Sequence, residues 1–147
     1  MLPFMWAAQD KSIVKPAATL VNGTTIWTVS GGPIQIISIG CICATANGAT
    51  ASTLQYSADG TDGAAATITG ASASLANATA GTIVVSVPGT LATAPAVYAN
   101  GVGIAGTVGI IVPSGIITTV VGVGSTTGTW KQFIRYRPLT PDSIIKG

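Results

Sequence analysis

The stretch Thr129-Trp-Lys-Gln-Phe-Ile-Arg-Tyr-Arg137 alternates in side-chain chemistry from one residue to the next. Successive side chains of a β-strand point to opposite faces. One face of this stretch therefore carries Trp130, Gln132, Ile134 and Tyr136. The other face carries Lys131, Phe133, Arg135 and Arg137. This period of two predicts a strand with one buried side and one exposed side.

Turn-forming dipeptides such as Asn22-Gly23, Asn47-Gly48 and Asp62-Gly63 recur at short intervals along the rest of the chain. The segments between them are short and rich in β-branched residues, which is typical of an all-β sandwich or barrel. We predict strands near residues 24–30, 34–44, 52–57, 64–69, 82–87, 95–99, 102–112, 115–123 and 128–137. Together they predict one antiparallel β-sandwich domain over residues 20–138.

Three strands show which side they bury. Leu54 and Tyr56 form an apolar face in 52–57, and Ile83, Val85 and Val87 form one in 82–87. In 34–43 the predicted face is formed by Ile37, Ile39, Cys41 and Cys43, and a mixed opposite face predicts a central strand. The Ala-rich segment 70–81 fits a short helix, a loop or an edge strand.

The residues that usually form metal or cofactor sites are scarce. Cys41 and Cys43 would point the same way on a strand, so we expect two buried apolar thiols without a disulfide. Zinc lacks ligands, because the chain has no His and no further Cys. Asp59 and Asp62 share a glycine-rich turn but fall short of the six to eight oxygens that calcium takes. We expect no metal and no cofactor.

Charged residues make up only 7% of the 147 residues, as six Lys and Arg against four Asp. General acid–base catalysis needs His, carboxyl, Lys or Tyr groups with tuned pKa values, so we expect a protein that is not an enzyme. A net charge of +2 is too small for a protein that neutralises many phosphates. We therefore expect no nucleic-acid partner.

The uncharged segment 101–124 is long enough to cross a bilayer as a helix. Its glycines and Pro113 oppose a helix, whereas its Val, Ile and Thr residues favour strands. We therefore predict two or three strands there and no membrane partner. The first ten residues lack the positively charged start of a signal peptide, which predicts a cytosolic product.

The two ends of the chain differ from its middle. Residues 1–19 carry Phe4, Trp6, Lys11 and Lys15 without clear alternation, which predicts an extended N-terminal arm whose aromatic side chains anchor in a partner. The alternative is that this arm folds back as an edge strand of its own sandwich. Residues 139–147 are predicted to form a C-terminal tail.

Charge is unevenly distributed along the sequence. No charged residue lies between Gly63 and Trp130, and such a surface suits a permanent assembly better than a free monomer. We therefore expect an oligomer, with a homotrimer as the preferred state. Lys131, Arg135 and Arg137, here called the basic stripe, share one face of their strand and either contact an acidic partner or keep the protein soluble.

An apolar arm with Pro3, a nearly uncharged sandwich rich in Gly, Ala, Thr and Val, and the closing strand Thr129–Pro141 occur together in this chain. In this combination it resembles the small capsid decoration, or cement, proteins of tailed bacteriophages. The resemblance implies a jelly-roll-like or related sandwich, commonly trimeric, that binds the outer surface of a virion and bridges major capsid protein subunits. During assembly such a protein would reside in the host cytoplasm. The alternative is a fibre or tail-associated subunit that binds a receptor or glycan.

Overall fold

The computed structural model describes residues 9–86, 92–98 and 109–147. Within these ranges the chain forms eleven strands and no helix. The strands are β1 Lys11–Val14, β2 Thr25–Ser30, β3 Ile34–Cys43, β4 Thr53–Gly60, β5 Ala66–Thr67, β6 Ile83–Val85, β7 Ala96–Tyr98, β8 Ile110–Val112, β9 Gly115–Gly122, β10 Trp130–Pro138 and β11 Ile144–Lys146. The predicted all-β class is confirmed, and segment 70–81 contains neither helix nor strand.

The strands form two antiparallel sheets that share one hydrophobic core. Sheet A has the order β1-β10-β3-β6-β7 with β8 also paired to β3, and sheet B has the order β11-β2-β9-β4-β5. If β6, β7 and β11 are set aside, sheet A has the order β1-β10-β3-β8 and sheet B has the order β2-β9-β4-β5. Two packed sheets with eight strands in total are the arrangement of a jelly roll. The predicted jelly-roll-like sandwich is therefore confirmed.

Large aromatic side chains from both sheets fill the core. Trp27 and Tyr56 from sheet B and Trp130 and Tyr136 from sheet A are all at most 2% exposed. Leu54 lies beside Tyr56 in the core, as the alternation in β4 predicts. Slipping any of these strands by one residue would turn its aromatic side chain toward water, so burial fixes the register.

A β-bulge divides the central strand β3 into two halves. Arg135 of β10 pairs with Ser38 and Tyr136 pairs with Ile36, so Ile37 is an extra residue without a partner. The bulge reverses the alternation, because the core contains Ile34 and Ile36 on one side of it and Ile39, Cys41 and Cys43 on the other. The predicted central position and the faces of Ile39, Cys41 and Cys43 are confirmed, whereas Ile37 lies outside the core cluster.

Strand β6 contributes its middle residue to the core. Val84 is completely buried in the cluster, whereas Ile83 and Val85 alternate with it and point to the outer side of sheet A. Ile83 and Val85 therefore lie on the side opposite the shared core, although Val85 is itself buried, and Val87 lies outside the described residues. Three consecutive β-branched residues give no alternation from which the buried face can be chosen.

Both ends of the described chain belong to the sandwich. Lys11 to Val14 pair with β10, so these residues of the predicted arm form an edge strand. The pairing continues past β1, because the Lys15 amide donates to the Gln132 carbonyl oxygen at 2.8 Å. Ile144 to Lys146 of the predicted tail pair with β2. Domain boundaries at residues 19 and 139 therefore exclude two strands that the sandwich uses.

Asn47 holds together the loops at one end of the sandwich. Its Oδ1 accepts the backbone N–H groups of Thr127 and Gly128, both at 3.0 Å, and its Nδ2 donates to the Leu75 carbonyl oxygen at 2.8 Å. The Asn47 side chain is buried, so its hydrogen bonds are made to these backbone groups instead of to water. Neither residue of the turn-forming dipeptide Asn47-Gly48 adopts a positive φ, whereas Gly23 of Asn22-Gly23 has φ 75°.

Gly40 allows the centre of sheet A to pack closely. A Cβ added there would overlap the Val84 carbonyl oxygen and approach Phe133 Cζ to 3.0 Å. We expect Gly40→Ala to lower the free energy of unfolding by about 2 kcal/mol, because backbone atoms of β6 would have to move. Urea unfolding measures this, with Gly63→Ala as the control, since a Cβ at Gly63 meets nothing within 4 Å. Equal stability of the two variants would contradict the close approach of Gly40 to the backbone of β6.

Candidate functional site

The alternation of β10 places the basic stripe on the outer face of sheet A. Trp130, Gln132, Ile134 and Tyr136 are buried, whereas Lys131, Arg135 and Arg137 are exposed. Phe133, on the same outer face, is partly buried. Both predicted faces of this strand are therefore confirmed.

Cross-strand pairing extends this outer face over the whole sheet, because directly opposed residues of antiparallel strands share a face. A first row, at the end near Asp10, contains Arg137, Gln35 and Ile111. A second contains Ser12, Arg135 and Ser38. A third contains Val14, Phe133, Gly40, Val85 and Ala96. A fourth contains Lys131, Ile42, Ile83 and Tyr98. Arg137 and Arg135 thus lie in the first two rows and Lys131 in the fourth, and the third row between them is apolar.

Some of the apolar side chains on this face are unusually open to solvent. Val14 is 61%, Ile42 38% and Ile111 65% exposed. Val14 and Ile42 lie in adjacent rows on either side of Phe133, whereas Ile111 lies at the other end of the face. Large exposed apolar groups that lie near each other often mark a site of protein interaction. The outer face of sheet A is therefore the candidate functional site.

Two arginines of the basic stripe bind the same carboxylate. Arg135 Nη2 donates to Asp10 Oδ2 at 2.8 Å, and Arg137 Nε donates to Asp10 Oδ1 at 2.9 Å. The arginine side chains remain 53% and 44% exposed. Each guanidinium has five N–H donors, so most of its donors remain for a partner. This role of Asp10 could not be predicted from the sequence, because it depends on the pairing of β1 with β10.

The other predicted contact residues lie in different places. The Lys15 ammonium donates to the Ile26 carbonyl oxygen at 3.0 Å and lies 5.5 Å from the centre of the Trp27 ring, so Lys15 links the end of β1 to sheet B. Lys11 is exposed at the start of β1. Phe4 and Trp6 lie outside the described residues. The structure thus brings together Lys131, Arg135 and Arg137, and it places Lys15 away from them.

A small cavity lies between the two sheets next to Lys15. It measures about 90 Å³, and its lining includes Leu20, Ile26, Thr119 and Gln132. The Gln132 Oε1 atom accepts a hydrogen bond of 2.6 Å from the Tyr56 hydroxyl inside the core. This bond satisfies the buried phenol, so Gln132 has a structural role on the inner face of β10.

The two cysteines lie in the core as free thiols, as predicted. Burial raises the pKa of the Cys41 thiol far above its usual range, and it also raises the pKa of Cys43. The pKa of the Tyr56 hydroxyl is raised by the same loss of water. All three groups therefore stay neutral near pH 7. In the part of the chain that the structure describes, no three His, Cys, Asp or Glu residues are grouped as metal ligands would be.

The outer face of sheet B has a different chemistry. Thr25, Thr118, Ser57 and Thr67 form a row of hydroxyl groups across four neighbouring strands. Gln55 and Val120 are opposed in the next row on this face. The two outer faces therefore differ in the basic stripe of sheet A and the hydroxyl row of sheet B, while both carry exposed apolar side chains, Val120 and Ile144 among those of sheet B.

No described part of the chain forms a helix that is long and apolar enough to span a membrane. In the segment 101–124, residues 110–112 and 115–122 are strands, as predicted, and residues 101–108 lie outside the description. Comparison with protein-family models, with curated proteins and with solved structures gives no match to this chain. What the protein binds is therefore inferred from the chemistry of its own surface.

Proposed function

We propose that this protein is a non-enzymatic structural component of a bacteriophage virion, a decoration or cement protein that binds the assembled shell. The observation that carries the proposal is the absence of charge between Gly63 and Trp130 in a sandwich that still exposes large apolar side chains. A free protein needs a mixed, charged surface for solubility, whereas a subunit of a permanent assembly does not. The jelly roll agrees with this role, since viral capsid proteins use it, although lectins use it as well.

The proposed mechanism is stabilisation by binding. A protein that binds neighbouring major capsid protein subunits only in their assembled arrangement shifts the equilibrium toward the shell by mass action. Phe4 and Trp6 of the arm are proposed as anchors on the partner, and a homotrimer would multiply the contacts. The site of action is the outer capsid surface, after synthesis in the host cytoplasm.

The test mixes the purified protein with shells assembled from the major capsid protein and with unassembled capsid protein. We expect it to sediment with the shells, to remain in solution with the unassembled subunits, and to raise the temperature at which the shells disassemble. A density map of the decorated particle would show it outside the shell, between capsid subunits. Equal binding to unassembled subunits, or no gain in shell stability, would contradict the cement role.

A second candidate is a fibre or tail-associated subunit that binds a glycan receptor. It is favoured by the neutral row of hydroxyl groups on sheet B, which can exchange hydrogen bonds with a sugar. The same density map distinguishes the two candidates, since a fibre or tail subunit would lie away from the shell lattice.

A further inference from the structure

We infer that the outer face of sheet A is the surface that docks, and that its partner is a folded protein surface with an apolar centre and acidic groups around it. This inference rests on the proposed function and adds which face binds and what it binds. It requires that Val14, Phe133 and Ile42 form the centre of the contact. The hydroxyl-rich face of sheet B would then point away from the partner.

The arrangement of the rows supports a protein interface. The third row carries the apolar centre, with Val14 next to Phe133 and the Phe133 ring over Gly40. Ile42 and Ile83 extend it in the fourth row, on adjacent strands. An apolar centre with a polar rim is the usual composition of a stable protein contact.

The charges at the rim favour an acidic partner. Lys131, Arg135 and Arg137 lie on this face with only Asp10 to oppose them, which leaves a net charge of about +2 there. The Asp10 carboxylate also holds the two guanidinium groups in place, which lowers the ordering cost of a further carboxylate contact. Arginine donors in such an arrangement suit bidentate binding of carboxylates.

Nucleic acid suits this surface less well than protein does. A nucleic-acid interface gains its affinity from many phosphate contacts, and here at most three cations surround an apolar centre. The bases and phosphates of a duplex would leave Val14 and Ile42 without apolar contacts.

A second copy of the chain is also disfavoured as the partner. Two copies pairing through this face about a two-fold axis would oppose basic groups to basic groups. Of the remaining acids, Asp59 lies on β4 of sheet B, and Asp62 and Asp142 lie in turns, so none belongs to the rows of this face.

The test compares two matched substitutions on opposite faces. Ile42 on sheet A is 38% exposed and Val120 on sheet B is 37% exposed, and both are β-branched residues within strands. We expect Ile42→Gln to weaken binding to assembled shells about tenfold and Val120→Gln to change it less than about twofold. Dissociation constants come from sedimentation with shells, and thermal unfolding shows that each variant is folded. Val14→Gln, at an edge position that is 61% exposed, repeats the test if Ile42→Gln does not fold.

The charges are tested by Arg135→Gln/Arg137→Gln, with Lys146→Gln on sheet B as the control. At low salt the double variant should bind about tenfold more weakly, and the difference should shrink to about threefold or less near 1 M salt, where the Debye length is about 3 Å. If the double variant binds shells as tightly as the parent protein at both salt concentrations, the inference of an acidic partner is overturned.

The remaining outcomes separate this inference from the proposed function. If the parent binds shells and Val120→Gln weakens binding more than Ile42→Gln does, or neither matters, the assigned face is wrong while the cement role stands. If Ile42→Gln dissociates an oligomer of the free protein, the face binds a second copy and the inference is overturned. A parent protein that does not bind shells overturns the proposed function, and this inference with it.

Discussion

Replacing Asn47 by alanine should lower the free energy of unfolding by about 4 kcal/mol, a large part of the stability of a domain of this size. The substitution leaves the backbone N–H groups of Thr127 and Gly128 and the Leu75 carbonyl without their side-chain partner. Each buried polar group that loses its hydrogen bond costs about 1–3 kcal/mol. Urea unfolding followed by circular dichroism measures the loss.

Asn77→Ala is the matched control for this prediction. Asn77 also lies in a loop at this end of the sandwich, but its described contact is a backbone N–H bond to the Gly48 carbonyl oxygen, which alanine keeps. Its φ of 56° adds a strain of about 1 kcal/mol for alanine, which is well below the loss expected at Asn47. Comparable losses for the two variants would show that the Asn47 side chain does not hold the loops together.

Removing residues 2–14 should destabilise the free protein by about 3 kcal/mol, whereas removing residues 2–8 should leave its melting temperature within a few degrees. The longer deletion takes away β1, the Asp10 carboxylate and Ile13, which packs against the core. It also leaves β10 as an unpaired edge. The shorter deletion removes Phe4 and Trp6 and keeps β1.

The shorter deletion should affect shell binding much more strongly than it affects stability. Loss of two aromatic anchors, each worth about 2 kcal/mol or more, should abolish sedimentation with shells already in the shorter deletion. The measurements are thermal unfolding of both deletion proteins and sedimentation of the shorter one with shells. An equally large fall in melting temperature for both would mean that residues 2–8 stabilise the sandwich itself. If the protein without residues 2–8 still binds shells fully, these residues are not part of the proposed contact.

Strands with regular alternation could be predicted from the sequence. The predicted strands 24–30, 34–44, 115–123 and 128–137 agree with β2, β3, β9 and β10 to within two residues at each end. Three of these strands bury one face and β3 is buried on most of both faces, and Gly or Pro residues lie at or near the start of each. The face of the basic stripe follows from the same alternation.

Features that depend on the partner strand could not be predicted in this way. β1 and β11 have four and three residues, and most of their side chains are exposed, so neither carries a clear period. The bulge at Ile37 becomes visible only when β3 is aligned with β10. The two-arginine contact of Asp10 and the buried role of Asn47 depend on residues far away in the sequence, Arg135 and Gly128 among them.

The pairing of β1 with β10 sets the order of events during synthesis. Lys11 pairs with Tyr136, so β1 has no partner until β10, far along the chain, has been made. Folding dominated by such distant contacts is slow, since the entropy of closing a long loop is lost before the contacts form. Until β10 has been made, neither the outer face of sheet A nor the contact of Asp10 with Arg135 and Arg137 is complete. Any binding through this face therefore requires that β1 and β10 have both been made and have paired.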